Sequence, residues 1–380
     1  MANIVTHHWI PTTNNTNAQE YILGIIPTNK KENFMRSLKK CLSDIKHSNN
    51  IAIFSHMAPD TDALASTVAL KKLIKSNLVE EDDNKIIDIF FDYDEISEVN
   101  SVIIKGVACN YQRCNSYDLG IALDCASASR LGKYQALFES CKKTVNFDHH
   151  ITNEKYADNN LIYKTSSTCE ALYGVAKAKE FEIPDDVCSL IYSGIITDTN
   201  NLSQGNITVD THKIIAEMLE RKINLDVLND HFFKNNAVSK AMLLKKALQS
   251  MRFYHDDRLV LMKLTNDNLT SVDATFDDTL GIVDHGIEIK GVDISVLIIK
   301  KEDESFYVSL RGKNSINVAN IATAMGGGGH EHVAAFQHTG AYNSMYDNLM
   351  NECQKELEKH PTEDAVFNLF SGDDDDEIQE

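Results

Sequence analysis

The chain has 380 residues, enough for two or three domains at roughly 100–200 residues each, and 43% of them are hydrophobic against 24% charged, an ordinary balance for a globular enzyme. Lys and Arg number 37 and Asp and Glu 56, a formal charge of −19, which is the wrong sign for a protein that tracks duplex DNA by neutralising its phosphates. No apolar run approaches the roughly 20 residues that span a bilayer, and the first residues (MANIVTHHWI) lack the basic-then-apolar order of a secretory signal, so a cytoplasmic protein with no membrane partner is expected.

Residues 1–30, rich in Asn and Thr without a period, read as an N-terminal extension. Phe34, Leu38, Leu42 and Ile45 recur at helical spacing over 31–47. IAIFSH is a short apolar run ending in polar residues, a buried strand whose C-terminal end is where α/β proteins place ligands. A helix from about Asp62 to Asn77 follows it. KIIDIFF (85–91), SVIIKG (101–106), LGIALD (119–124) and TVNFDHH (144–150) read as further strands. Segments 131–142, 167–180 and about Asp185 into SGIITD read as helices, and Ser167-Thr168-Cys169-Glu170 fits a capping box. Such alternation predicts an α/β fold, a mostly parallel sheet flanked by helices.

Helical stretches at 208–222 and 238–250 lead into a different pattern. MRFYHDDRLVLMKL reads as a hairpin turning at Asp256-Asp257, and GVDISVLIIKK with SFYVSLRG as another strand pair. A helix over 316–325, a four-glycine run and a helix over 343–359 complete a smaller α+β domain. The expected organisation is an extension (1–30), an α/β domain (31–225), a helical linker (226–250), an α+β domain (251–360) and a solvated acidic tail (361–380). The eight cysteines form no CxxC pair, so neither a zinc ribbon nor a thioredoxin-type site is indicated.

Four element ends in the first region deliver metal-ligand side chains: His56-Met57-Ala58-Pro59-Asp60-Thr61-Asp62-Ala63, Asp124, Asp148-His149-His150 and Asp198. Taken singly, an Asp at such a place is usually a helix cap. Taken together they converge, because the C-terminal ends of parallel strands share one edge of a sheet. Four or more carboxylates in one crevice repel one another unless cations sit among them. Carboxylate mixed with imidazole favours Mn²⁺, with Co²⁺ or Mg²⁺ as alternatives. A shared carboxylate can bridge two such ions roughly 3.5–4 Å apart, the arrangement that serves phosphoryl transfer to water. The second region adds Ser309-Leu310-Arg311 and Gly326-Gly327-Gly328-Gly329-His330: glycines let backbone N–H groups approach an anion, and Arg311 can grip it with two parallel hydrogen bonds.

This set of motifs, in this order over residues 30–345, resembles the DHH phosphoesterase superfamily with its associated C-terminal domain. The resemblance implies that His56, Asp60 and Asp124 hold one divalent cation, and that Asp62, Asp124, His149 and Asp198 hold a second. Asp148 would support the site from behind. His150 would contact the scissile phosphate or protonate the leaving group. Ser309, Arg311, Gly326, Gly327, Gly328, Gly329 and His330 would bind the far end of the substrate. In overall size the chain is similar to nanoRNase/pAp-phosphatases and stand-alone cyclic-dinucleotide phosphodiesterases. That implies a two-metal phosphodiesterase releasing nucleoside 5′-monophosphates from short oligonucleotides or linear dinucleotides, with the 3′-phosphate of pAp as a second substrate. The alternatives are a cyclic-di-AMP phosphodiesterase, a single-stranded DNA exonuclease or a catalytically silent nucleotide-binding protein; a homodimer is compatible with each. The sequence departs from the family pattern after Asp198-Thr199, where Asn200, Asn201 and Leu202 replace a Gly and an aromatic, and after GGGGH, where Glu331, His332, Val333, Ala334 and Ala335 follow.

Overall fold

A computed structural model describes residues 31–79, 84–91, 96–203, 205–301 and 303–360; the expectations for 1–30 and 361–380 lie outside these. The chain divides into two compact units, which meet at Asn235 and Asn236. Strands are numbered in chain order, as are α-helices of seven residues or more.

The first unit is built on five strands: β1 (Asn50–Phe54), β2 (Ile86–Phe90), β3 (Leu119–Leu123), β4 (Thr144–Asp148) and β5 (Asn159–Ile162). They are all parallel, in the order β2-β1-β3-β4-β5. Being covered on both faces, β1 and β3 are buried almost end to end, which is why they read as unbroken apolar runs. One face packs against α1 (Lys31–His47), α2 (Thr61–Asn77), α3 (Thr168–Ala178) and α4 (Asp185–Asp198) through Leu38, Leu64, Val68, Leu172 and Ile191. The other carries an aromatic core of Phe54, Phe90, Tyr117 and Phe138. Helices α5 (Val209–Glu220) and α6 (Leu225–Phe233) complete the unit.

Three local expectations change. SVIIKG, expected as a strand, is the end of a short helix and a 3-10 turn (Val102–Ile104); Ser97 caps that helix by accepting from the Asn100 N–H, and Ile103 and Ile104 enter the core from it. The helix expected over 131–142 is a 3-10 segment (Ala128–Tyr134), kinked within at Gly132 where φ is positive, followed directly by a five-residue helix (Gln135–Glu139). The capping box at α3 is half formed. Ser167 accepts from the Glu170 N–H, but Glu170 Oε2 reaches the Ser166 N–H and the Thr211 hydroxyl instead of the cap's own N–H.

The second unit begins with α7 (Val238–Gln249), whose Leu243 and Ala247 pack on Met262, Leu264 and Leu297. The stretch 226–250 is thus divided, α6 packing with the first unit and α7 with the second. Its sheet has six strands in the order β10-β11-β9-β8-β7-β6. These are β6 (Arg252–Tyr254), β7 (Leu259–Thr265), β8 (Ile294–Lys300), β9 (Phe306–Gly312), β10 (Gly328–His330) and β11 (Val333–His338). All pairs are antiparallel except β7–β8, joined by a crossover. Helices α8 (Val318–Ala324) and α9 (Tyr342–Lys359) cover one face through Ile321, Met345, Leu349 and Cys353. No helix among the described residues is long and apolar enough to cross a membrane.

Candidate active site

From β1 the chain passes to β2 on one side and then returns to β3 on the other, so the β1/β3 boundary is a topological switch point, where parallel sheets open a crevice at their C-terminal edge. His56 lies just beyond β1, Asp124 just beyond β3, and Asp148 ends β4. Asp60 and Asp62 flank the first residue of α2, and Asp198 ends α4. Asp124 has a left-handed backbone (φ 53°), an uncommon conformation that Asp tolerates better than most residues.

Two groups of three, His56–Asp60–Asp124 and Asp62–His149–Asp198, each have candidate ligand atoms within 4.8 Å of one another, and Asp124 also groups in this way with Asp148, His149 and His150. His56 Nε2 lies 3.8 Å from Asp124 Oδ2 and 3.9 Å from Asp60 Oδ2. His149 Nε2 lies 3.5 Å from Asp124 Oδ1 and 3.4 Å from Asp198 Oδ2, so Asp124 faces both groups with different oxygens. The other nitrogen of each imidazole meets a backbone carbonyl: His56 Nδ1 is 2.7 Å from Met57 O, and His149 Nδ1 is 3.4 Å from Thr165 O. An Nδ1–H held this way leaves the Nε2 lone pair directed at the carboxylates, as in a metal-binding histidine. His56 and Asp124 are 3% and 2% exposed whereas the Asp60 side chain is 59% exposed, so the cluster has a dry floor and opens to solvent at Asp60. Asp60 also does what a lone Asp would do, accepting from the Ala63 N–H to cap α2 with its other oxygen.

Asp62 is held from behind. Its two oxygens accept the backbone N–H groups of Thr168 (2.7 Å) and Cys169 (3.0 Å) at the start of α3, where the helix dipole favours negative charge. The Thr168 hydroxyl donates to Asp124 Oδ1 at 2.9 Å. Helix α4 approaches this point closely because Gly194 has no side chain: a Cβ there would lie 2.4 Å from Cys169 Sγ and 2.5 Å from Asp62 Oδ1.

Asp148 is wholly buried and fully engaged. Its Oδ1 accepts from the His149 N–H and from His150 Nδ1, both at 2.8 Å, and its Oδ2 from Asn153 Nδ2 at 2.6 Å. These donors outweigh burial and hold the Asp148 carboxyl below the usual range. The pair fixes the His150 ring with Nδ1 on Asp148, leaving Nε2 for a ligand.

The remaining carboxylates are frustrated. Burial, then the charges of Asp124 and Asp60, push Asp62 up to about 7. Burial, then Asp62 and Asp124, push Asp198 up to about 9, and Asp124 is raised as well. Burial lowers His149 and His150, but the adjacent carboxylates more than offset it, so both are raised. A site that clings to protons at neutral pH is short of positive charge. Four inward carboxylates and two imidazoles with inward Nε2 atoms therefore fit divalent cations.

Of the residues singled out in the sequence, His56, Asp60, Asp62, Asp124, Asp148, His149, His150 and Asp198 are brought together. Asn200, Asn201 and Leu202 all have positive φ (45°, 58° and 60°), so Asn200 occupies a backbone conformation that glycine supplies freely and Asn tolerates well. Two partners were missed. Thr168 sits inside the capping motif, where its hydroxyl looked incidental; Asn153 lies in a loop with no pattern to mark it.

Ser309, Arg311 and the glycine run belong to the second unit. In register, Arg311 lies beside Val333, and Val333 beside His330; Ser309 lies beside Ala335, and Ala335 beside Gly328. The alternate residues Val308, Leu310, Ala334 and Phe336 are buried, so Ser309 and Arg311 face away from that core. Arg311 Nε donates to Asp284 Oδ1 at 2.5 Å, which fixes the guanidinium. The His330 side chain lies outside what the structure describes.

A crevice of carboxylates and imidazoles at a parallel-sheet switch point, with a second α+β unit downstream, defines a hydrolase of the metal-dependent phosphoesterase class. The DHH family, N-terminal domain, matches residues 50–195 and the DHHA1 domain residues 263–359, and the chain belongs to the DHH phosphoesterase superfamily. It is 26% identical over 314 residues to the bifunctional oligoribonuclease and PAP phosphatase NrnA of Thermus thermophilus, spanning 81% of this chain and 90% of that protein. It is 24% identical over 334 residues to the cyclic-di-AMP phosphodiesterase PdeA of Listeria monocytogenes, spanning 82% of this chain and 47% of that protein. An exopolyphosphatase-related protein from Bacteroides fragilis shares the fold with a TM-score of 0.72 at 20% identity, over 84% of this chain and 96% of that one.

Proposed function

We propose that the chain is a two-metal phosphodiesterase that hydrolyses short oligonucleotides or linear dinucleotides to nucleoside 5′-monophosphates, and that it also removes the 3′-phosphate of pAp. The observation that carries this reading is the pair of three-residue groups, one containing Asp124 through its Oδ2 side and the other 3.5 Å from its Oδ1 at His149. His56, Asp60 and Asp124 would hold one cation and Asp62, Asp124, His149 and Asp198 the other, with Mn²⁺ favoured by the mixed nitrogen and oxygen donors. Such cations, when bound, act as Lewis acids on the phosphoryl oxygens and lower the pKa of water.

The chain's own residues supply the rest. Thr168 and the N-terminus of α3 fix Asp124 and Asp62 before substrate arrives. Asp148 orients His150, whose Nε2 would meet the scissile phosphate or give the departing oxygen its proton. Arg311, Ser309 and the glycine backbone would bind the distal part of the substrate, with His330 beside them. The relatives named above support small nucleotide substrates, one as an oligoribonuclease and PAP phosphatase and one as a cyclic-di-AMP phosphodiesterase. The net charge of −19 agrees, since non-specific attraction for the phosphates of a long strand would be weak.

The test is a rate panel with Mn²⁺ on pApA, pAp, cyclic-di-AMP, short RNA and long single-stranded DNA. The expected ranking puts pApA and short RNA first, with pAp measurable. A ranking led by cyclic-di-AMP or by long DNA overturns the substrate assignment.

A further inference from the structure

A cavity of about 340 Å³ opens in the first unit between α2 and the loop at 106–113, away from the carboxylate cluster. Its helical wall is made by Val68, Lys71, Lys72 and Lys75, positions i, i+3, i+4 and i+7 of α2. Arg113 and Tyr111 line the opposite side. Three lysines and an arginine around one concavity are out of character for a chain of charge −19.

Some of this charge is spoken for. Lys72 Nζ pairs with Asp186 at 2.6 Å. Arg113 Nε pairs with Asp88 at 2.5 Å, and Tyr117 donates to the same carboxylate, which holds the guanidinium against the cavity wall. Lys71 and Lys75 make no ion pair or hydrogen bond among the described residues. Lys71 is half-buried, and burial, then the charges of Lys75 and Arg113, lower its pKa. Asp88 lines the cavity as well and its charge acts on Lys71, but its oxygens are taken up by Arg113 and Tyr117; Lys71 and Lys75 thus share a space of ligand size with a fixed arginine and have no side-chain partner of their own among the described residues. Tyr111, 68% exposed, offers a ring face at the rim.

We propose that this cavity is a second, non-catalytic binding site for a small polyvalent phosphate, with Lys71, Lys75 and Arg113 gripping the phosphoryl oxygens. The ligand is a diphosphate group, either free or carried by a nucleoside whose base stacks on Tyr111. The site requires nothing of the carboxylate cluster, so it stands or falls separately from the proposed reaction.

The experiment is calorimetric titration of the full chain, in chelator, with inorganic pyrophosphate and with ADP. Wild type, Asp124→Asn and Arg311→Ala are expected to bind alike. Lys71→Ala combined with Lys75→Ala should weaken binding at least tenfold while leaving the thermal melt and the metal-dependent hydrolysis rate at wild-type values. Lys71→Arg combined with Lys75→Arg should retain binding. ADP binding more tightly than pyrophosphate, with the difference lost in Tyr111→Ala, assigns the nucleoside source; equal affinities assign the free diphosphate. A Kd weaker than about 1 mM for both probes, or an affinity unchanged in the double alanine variant, overturns the site.

Discussion

Protons and divalent cations compete for the same carboxylates in the first unit, and the competition can be read as stability. The perturbation is removal of cations by chelation, followed by a rise in pH from about 6 to about 8. An Asp in the unfolded chain titrates near 3.8 and has lost its proton well before this range, whereas Asp62 is pushed up to about 7 and Asp198 to about 9 in the folded state. A folded state that binds more protons than the unfolded state loses stability as pH rises. One retained proton corresponds to about 1.4 kcal/mol per pH unit, or about 3 kcal/mol across two units. The raised imidazoles of His149 and His150 act in the same direction, because the stability they confer when protonated is lost as pH climbs through their folded-state values. Saturating Mn²⁺ displaces those protons and removes the slope. Urea unfolding followed by circular dichroism at both pH values, with chelator and with Mn²⁺, measures all four stabilities. A chelated protein whose stability is flat or increases from pH 6 to 8, or a slope that Mn²⁺ leaves unchanged, would refute the reasoning.

Asp124→Asn removes the one carboxylate that faces both groups, and dinucleotide hydrolysis should fall on the order of 10³-fold or more; a wild-type rate with Mn²⁺ rules out the shared-ligand arrangement. Gly194→Ala drives a methyl into Cys169 and Asp62, so both a loss of about 1–3 kcal/mol in unfolding and a fall in kcat are expected, and an unaffected kcat would show that Asp62 is not held in place by α4. Asn153→Ala strips one donor from Asp148, together with the bonds to Asn146 and the Cys125 carbonyl, and should lower kcat more than it raises KM, because Asp148 is what orients His150; steady-state kinetics showing a pure KM effect would contradict that role.

The strands that carry the site were legible because they are buried on both faces. IAIF and LGIAL are continuous apolar runs, the first ending one residue short of His56 and the second directly before Asp124. The partners of the site were hidden for the opposite reason. The Thr168 hydroxyl acts through one hydrogen bond to Asp124, and the Asn153 amide through several, to Asp148, Asn146 and the Cys125 carbonyl; all are fixed by tertiary contact, and no periodicity records such bonds. SVIIKG misled because apolar content without alternation fits a buried strand and a buried helical turn equally; Ser97 decided it, as a cap for the Asn100 N–H. Strand β5 escaped notice because two of its four residues are Asn; Asn159 is buried by donating to the Ser37 carbonyl on α1, a contact between residues 122 apart in the chain.

The glycine run was legible as a motif, but its four members turn out to have different reasons to be glycine. Gly326 takes φ +84° directly after α8 and releases the chain from the helix. Gly327 and Gly329 lie so close to β11 that a Cβ would stand 2.3 Å from Ala335 O and 2.4 Å from Val333 O, respectively. Those three are required by the fold, whatever the ligand. Gly328 has no positive φ, a Cβ added to it would meet no atom within 4 Å, and it lies on the edge strand β10. If the bare backbone there serves to let a phosphate approach, Gly328→Ala should melt within about 0.5 kcal/mol of wild type, yet raise KM for a dinucleotide about tenfold, the worth of one hydrogen bond to a charged group. Gly329→Ala should instead lose stability before it loses affinity. Thermal melts and KM values for the two variants separate the cases, and a Gly328→Ala enzyme with an unchanged KM would assign the whole run to strand pairing alone.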